Sequence, residues 1–249
     1  MLKLKTPFLA TALFSVIISC NNNTKAIETM DEDQPKNALS LKNQLDEKKA
    51  HFEATADEEK KIIYNKGIQA VIDAGILNKA KNVGDIAPNF ALKNAKGQIV
   101  DLKTELKKGP VILLWYRGGW CPYCNLTLKS MQDNLGKFKA AGAQLIALTP
   151  ELPDSSLSTM EKNNLQFEVL SDLHNKVAKD YGVVFTLIPE VAKKYQDGFG
   201  LYQYNGDESN ELPLAATYII GTDGKIKYAF LDADYRNRAE PTDILAALQ

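Results

Sequence analysis

From Ala38 the apolar positions recur at helical spacing. Leu41, Leu45 and Phe52 form one run, and Ile62, Ile63, Ile68, Val71 and Ile72 form a second. The pattern breaks near residues 54–57, so two helices are expected over 38–80, and Gly75 precedes a short apolar end. The period then shortens. Phe90-Ala91-Leu92 and Ile99-Val100-Asp101-Leu102 flank Asn94-Ala95-Lys96-Gly97, a hairpin pattern. Val111-Ile112-Leu113-Leu114-Trp115-Tyr116 is an unbroken apolar run, the pattern of a strand buried on both faces. Leu126, Leu128, Met131, Leu135 and Phe138 predict one helix ending near Gly142, and residues 145–148 predict the next strand. Helices are expected near 155–163 and 176–181, with a short strand over 167–170 between them. Residues 218–220 and 226–231 read as a hairpin, and Glu240-Pro241 opens a last helix with proline in its favoured first turn. This order predicts an α/β fold with a central mixed β-sheet flanked by helices, and an N-terminal helical extension that packs on it or on a partner copy. Residues 195–212, polar and rich in glycine and tyrosine, read as a surface loop, with a lid over the cysteines as the other reading. His174 reads as a helix cap.

The first residues carry a different pattern. A short basic start, MLKLK, is followed by an uncharged apolar stretch too short to span a bilayer. It ends in Ile17-Ile18-Ser19-Cys20 and then Asn21-Asn22-Asn23. A small residue before cysteine at the end of such a stretch resembles a bacterial lipobox. The expectation is a leader over 1–19, lipid attachment at Cys20 and a flexible polar tether over 20–37. The protein would then be exported and held at a membrane of the bacterial cell envelope. A plain secretory leader or an uncleaved anchor, with Cys20 incidental, is the other reading.

Composition adds limits rather than identity. The chain has 249 residues, 45% of them hydrophobic and 24% charged, enough for one well-buried domain with extensions. A net charge of −1 gives no reason to expect a nucleic-acid partner. Lipidation of Cys20 would leave Cys121 and Cys124 as the only thiols, so this is not a disulfide-scaffolded mini-protein.

Those two cysteines lie in YRGGWCPYCN, residues 116–125, directly after the buried strand and in front of a helical pattern. A helix start presents free N–H groups and a partial positive charge, and both stabilise a thiolate at Cys121. Pro122 costs nothing in a first turn. Cys124 is expected one turn in, facing Cys121 and more buried. An ordinary thiol near pKa 8.5 is only about 3% ionised at pH 7, so activation matters. Arg117 is the one nearby cation in the sequence. Gly118 and Gly119 would let a substrate approach closely, and Trp120 would wall that approach. A structural zinc site needs four ligands, and His51 and His174 are not spaced as a second half-site. No metal and no other cofactor is therefore expected. A purely structural disulfide over three positions would stabilise little. A redox dithiol is the leading reading of the pair.

Three further stretches carry a family resemblance. Residues 83–92, VGDIAPNFAL, resemble the opening of the alkyl hydroperoxide reductase / thiol-specific antioxidant (AhpC/TSA) superfamily. Residues 164–172 with 177–183, and residues 217–226, are similar to later peroxiredoxin segments. The resemblance runs from about Val83 to the C-terminus and implies a thioredoxin-like fold over 83–249. It implies a thiol peroxidase that takes hydrogen peroxide or organic hydroperoxides, with Cys121 peroxidatic, Cys124 resolving, Arg117 assisting and a thioredoxin-like reductant. The departures are equally specific. Where that family places Pro-x-x-x-Thr before its cysteine, this chain has Leu114 and Gly118. No arginine occurs between Arg117 and Arg236, so the family's second arginine is expected to be missing. Ala215 stands where thioredoxin-like reductases carry a cis-proline, and Thr217 is left as a polar neighbour of the site. An envelope thiol–disulfide oxidoreductase acting on protein disulfides, and a tethered binding protein with a vestigial pair, remain as alternatives.

Overall fold

The computed structural model describes residues 40–249. The expected leader, Cys20 and the tether lie outside the described residues. The unbroken apolar run becomes β3 (Val111–Trp115), fully buried at every position and therefore central. Before it come helices α1 (Leu41–Thr55), α2 (Glu58–Asp73) and α3 (Ile76–Lys79). The expected hairpin follows, β1 (Ala91–Lys93) paired antiparallel with β2 (Ile99–Asp101), and then the short α4 (Leu102–Leu106).

After β3 the chain enters α5 (Pro122–Asp133) and α6 (Leu135–Ala140), which break at Asn134 where one helix was expected. Asn134 has non-helical angles, and its side-chain amide donates to the Ser130 carbonyl at 2.9 Å. That local bond competes with continuation of the helix. Next come β4 (Gln144–Thr149), α7 (Pro153–Lys162), β5 (Glu168–Ser171) and α8 (Lys176–Asp180). The last segments are β6 (Val184–Thr186), α9 (Pro189–Phe199), α10 (Leu201–Asn205), β7 (Glu211–Pro213), β8 (Thr217–Ile220), β9 (Ile226–Phe230) and α11 (Pro241–Ala247).

The main sheet has the order β5-β4-β3-β8-β9. Strands β3, β4 and β5 are parallel, and β8 and β9 are antiparallel to their neighbours. This is the expected mixed sheet. The surface-loop reading of 195–212 is corrected. Tyr195 lies in α9, α10 follows, and β7 returns to pair with β6. Val191, Ala192 and Tyr195 share a buried helical face. His174 does not cap a helix. It sits at φ 60° before α8, exposed, with its ring nitrogen 3.2 Å from Asp207.

Within the helical extension, α1 is fastened to the domain near its start and again near its end. Leu41 and Leu45 enter the core, each contributing about 2 kcal/mol by burial. The first free N–H groups of α1, those of Leu41 and Lys42, donate to the Glu240 carboxylate at 3.0 and 2.9 Å. Further along, Glu53 of α1 meets Arg236 at 3.5 Å. Glu240→Ala is expected to cost about 1 kcal/mol and to lower Tm by about 3 °C, with Glu240→Gln intermediate, read by thermal unfolding. An unchanged Tm would show that the carboxylate does not hold α1.

Candidate functional site

The site is built where β3 ends. Tyr116 N–H still bonds the Leu148 carbonyl at 3.0 Å, and residues 117–120 then carry the chain over the carboxyl end of the parallel strands. Gly118 has φ +151°, and a Cβ there would stand 2.2 Å from Trp120 Nε1. The threonine that the family pattern calls for would collide with the indole. Cys121 is the N-cap of α5 with Pro122 in the first turn, and its own N–H donates to the Gly118 carbonyl at 3.0 Å. Cys121 therefore lies at the positive end of a helix, as expected. Both cysteines are free thiols and both are completely buried. The expectation that Cys124 would be the more buried of the two is corrected: Cys121 and Cys124 are both fully covered.

Arg117 organises the pocket. Its Nη2 donates to Cys121 Sγ at 3.1 Å and its Nη1 to the Tyr195 hydroxyl at 2.9 Å. The guanidinium carbon lies 3.8 Å from the Tyr235 ring centre, 5.2 Å from Trp120 and 5.5 Å from Tyr195, within cation–π range of all three. Trp120 stacks on Phe199 at 5.4 Å and meets Tyr195 at 5.0 Å. Arg117 is only 2% exposed. Burial works against its charge, and the Cys121 and Tyr195 groups beside it more than compensate.

The two sulfurs titrate apart. Burial pushes Cys121 up, but a hydrogen bond with Cys124 and the charges of Arg117 and Arg238 hold it well below the ordinary thiol range. Burial, with the neighbouring Cys121, pushes Cys124 well above that range. The surroundings thus favour the thiolate at Cys121 and the neutral thiol at Cys124.

Arg117 is not the only nearby cation, contrary to the expectation from the sequence. Arg238, in the segment after β9, reaches Cys124 Sγ at 3.5 Å. Its neighbour Arg236 is held by Asp234 at 2.8 Å and by Glu53. The chain has three arginines, and all three gather here. Their spacing gave no sign of it, although Asp234-Tyr235-Arg236-Asn237-Arg238 is conspicuous as the only arginine-bearing stretch besides the motif.

Sequence reasoning also missed Tyr195, Tyr235 and Glu151. Glu151 is fully buried behind the loop and accepts the Gly119 N–H at 2.8 Å, with the hydroxyls of Thr149 and Thr159 at 3.4 and 3.5 Å. Burial raises its carboxyl, while the Gly119 bond works the other way. Gly119 thus serves as an anchor for the loop through its N–H. Thr217 is buried in β8 opposite Leu114, with its hydroxyl unpartnered. Ala216 accepts the Trp115 N–H at 2.9 Å, so residues 215–216 border the strand end that leads into the motif. Among the described residues no cluster of three or more His, Cys, Asp or Glu side chains is placed to hold a metal ion.

The model of the AhpC/TSA family matches residues 83–229. Peroxiredoxin Q of Triticum aestivum is 33% identical over 167 residues, which cover 67% of this chain and 64% of that protein. Peroxiredoxin Q of Gentiana triflora is 35% identical over 158 residues, covering 64% of this chain and 60% of that protein. The chain thus spans less than two thirds of the length of either relative. The crystal structure of peroxidoxin BcpB from Mycobacterium tuberculosis superimposes with a TM-score of 0.53 at 21% identity, over 67% of this chain and 96% of that one. That likeness establishes a shared thioredoxin-like fold.

Replacing Arg117 separates its charge from the helix end. The wild-type thiolate absorbance at 240 nm is expected to persist below pH 7 and to fade only as pH drops through the depressed Cys121 pKa. In Arg117→Met burial prevails, and one thiolate equivalent appears only above about pH 8.5. Superimposable titrations would remove Arg117 from the account.

Proposed function

Since the chain belongs to the AhpC/TSA family, we propose that it is a thiol peroxidase working through Cys121 and Cys124. The observation that carries the reading is the buried Cys121 sulfur, capping a helix with an arginine at 3.1 Å. The Cys121 thiolate attacks the terminal oxygen of a hydroperoxide. An S–O bond forms, the O–O bond breaks, and the departing alkoxide takes a proton to leave as alcohol or water. Arg117 Nε and Trp120 Nε1 are buried donors without a protein acceptor, which supports their use on the peroxide oxygens. Cys124 then attacks the Cys121 sulfenic sulfur. Its proton leaves with the hydroxyl as water, and a disulfide remains. A thioredoxin-like dithiol restores the pair by exchange. The names of the relatives support peroxide chemistry, and the burial of both sulfurs favours a small substrate over a folded protein's disulfide.

Peroxide consumption with dithiothreitol or with thioredoxin and its reductase tests the reading. Turnover should fall to background in Cys121→Ser. Cys124→Ser should accumulate a Cys121 sulfenic acid that dimedone captures after one equivalent of peroxide. Mixed disulfides with proteins, and no turnover of any hydroperoxide by the wild type, would instead mark a thiol–disulfide oxidoreductase.

A further inference from the structure

Five of the eleven residues that line the cavity beside the site lie outside the family match. The cavity holds about 160 Å³ and is lined by Arg117, whose Nη2 lies 3.1 Å from the Cys121 sulfur. Its walls include Phe52 of α1, Tyr64 of α2 and Tyr235 of the segment after β9. Phe52 stacks on Tyr64 at 5.6 Å, and Tyr64 meets Tyr195 edge-on at 5.7 Å. A space of about this size takes a group about as large as benzene. Two lysines also line it, Lys48 from α1 and Lys60 from α2, whose ammonium lies 5.9 Å from the Tyr64 ring centre. The acidic residues nearby are engaged elsewhere. Glu58 pairs with Lys61 at 2.7 Å, Glu59 with Lys194 at 3.7 Å and Glu53 with Arg236 at 3.5 Å. Among the described residues neither Lys48 nor Lys60 has a carboxylate partner.

We propose that the helical extension selects hydroperoxides bearing a benzene-sized apolar group between the peroxide and an anionic group. The peroxide points to Arg117 and Cys121, the apolar group lies among the rings, and the anion meets Lys48 and Lys60. This rests on the peroxidase reading and adds to it a site that the matched region alone does not build. The covalent steps are those given above, with the substituted alcohol as leaving group.

The test uses the full chain and three oxidants: hydrogen peroxide, cumene hydroperoxide and 4-carboxycumene hydroperoxide. The wild type is expected to favour the carboxylated compound over neutral cumene hydroperoxide about 5- to 10-fold in kcat/KM, as two partly exposed ion pairs allow. That ratio should fall to about 1 in Lys48→Gln/Lys60→Gln, and toward 1 in the wild type as salt is added. A second measurement needs no turnover: 4-isopropylbenzoate should perturb tryptophan emission of the wild type and bind the double variant about 5- to 10-fold more weakly. Turnover of all three oxidants without preference for the carboxylate, or an unchanged ratio in the double variant, overturns the inference and leaves the peroxidase reading standing. Failure to turn over even hydrogen peroxide overturns both.

Discussion

The bond between Arg117 and the Cys121 sulfur is what the site depends on. A thiolate with no exposed surface is costly unless a fixed positive charge and hydrogen bonds replace the water it has lost. The helix end supplies part of that charge, and Arg117 supplies the rest at 3.1 Å. Arg117 must in turn be held without a carboxylate close enough to neutralise it. Three aromatic rings and a tyrosine hydroxyl do so, because they attract a cation yet carry no formal charge. The guanidinium's charge stays available to the sulfur.

This requirement accounts for elements that otherwise look peripheral. Helix α9 is needed for Tyr195, and the stretch after β9 is needed for Tyr235 and Arg238. That stretch is clamped by Asp234 and Glu53 onto Arg236, and Glu53 belongs to the extension. The extension is itself anchored by Glu240, two residues beyond Arg238. The helices before the family match and the strap after it thus support one another around the same guanidinium. The missing threonine fits the same picture. Trp120 occupies the space that a side chain at position 118 would enter, and its own Nε1 and the Arg117 Nε are buried donors without a partner.

The legible parts of this protein are those set by local rules. A continuous apolar run has to be a central strand, and a cysteine before proline after such a strand has to begin a helix. The opening VGDIAPNFAL and the late hairpin pointed to the family for the same reason: they are short and contiguous. What the sequence hid is tertiary. Tyr195 meets Arg117 across 78 residues, and Arg238 meets Cys124 across 114, with no periodicity linking them. The 195–212 stretch misled through its glycines. Gly200 and Gly206 end α9 and α10 as left-handed caps, so they mark helix ends and not a loop. Arg117 was legible as an activator because it lies four residues from Cys121, whereas Glu151 looked like any carboxylate after a strand.

The most direct measurement of the central claim is the rate at which reduced protein reacts with hydrogen peroxide across the pH range, followed by stopped-flow tryptophan fluorescence. Trp120 packs on Arg117, so oxidation of the adjacent sulfur should register in its emission. With Cys121 already ionised, the second-order rate constant should change less than about twofold between pH 7 and pH 9. A rate that climbs about tenfold per pH unit and levels only above pH 8.5 would mean an ordinary thiol, and would contradict the account.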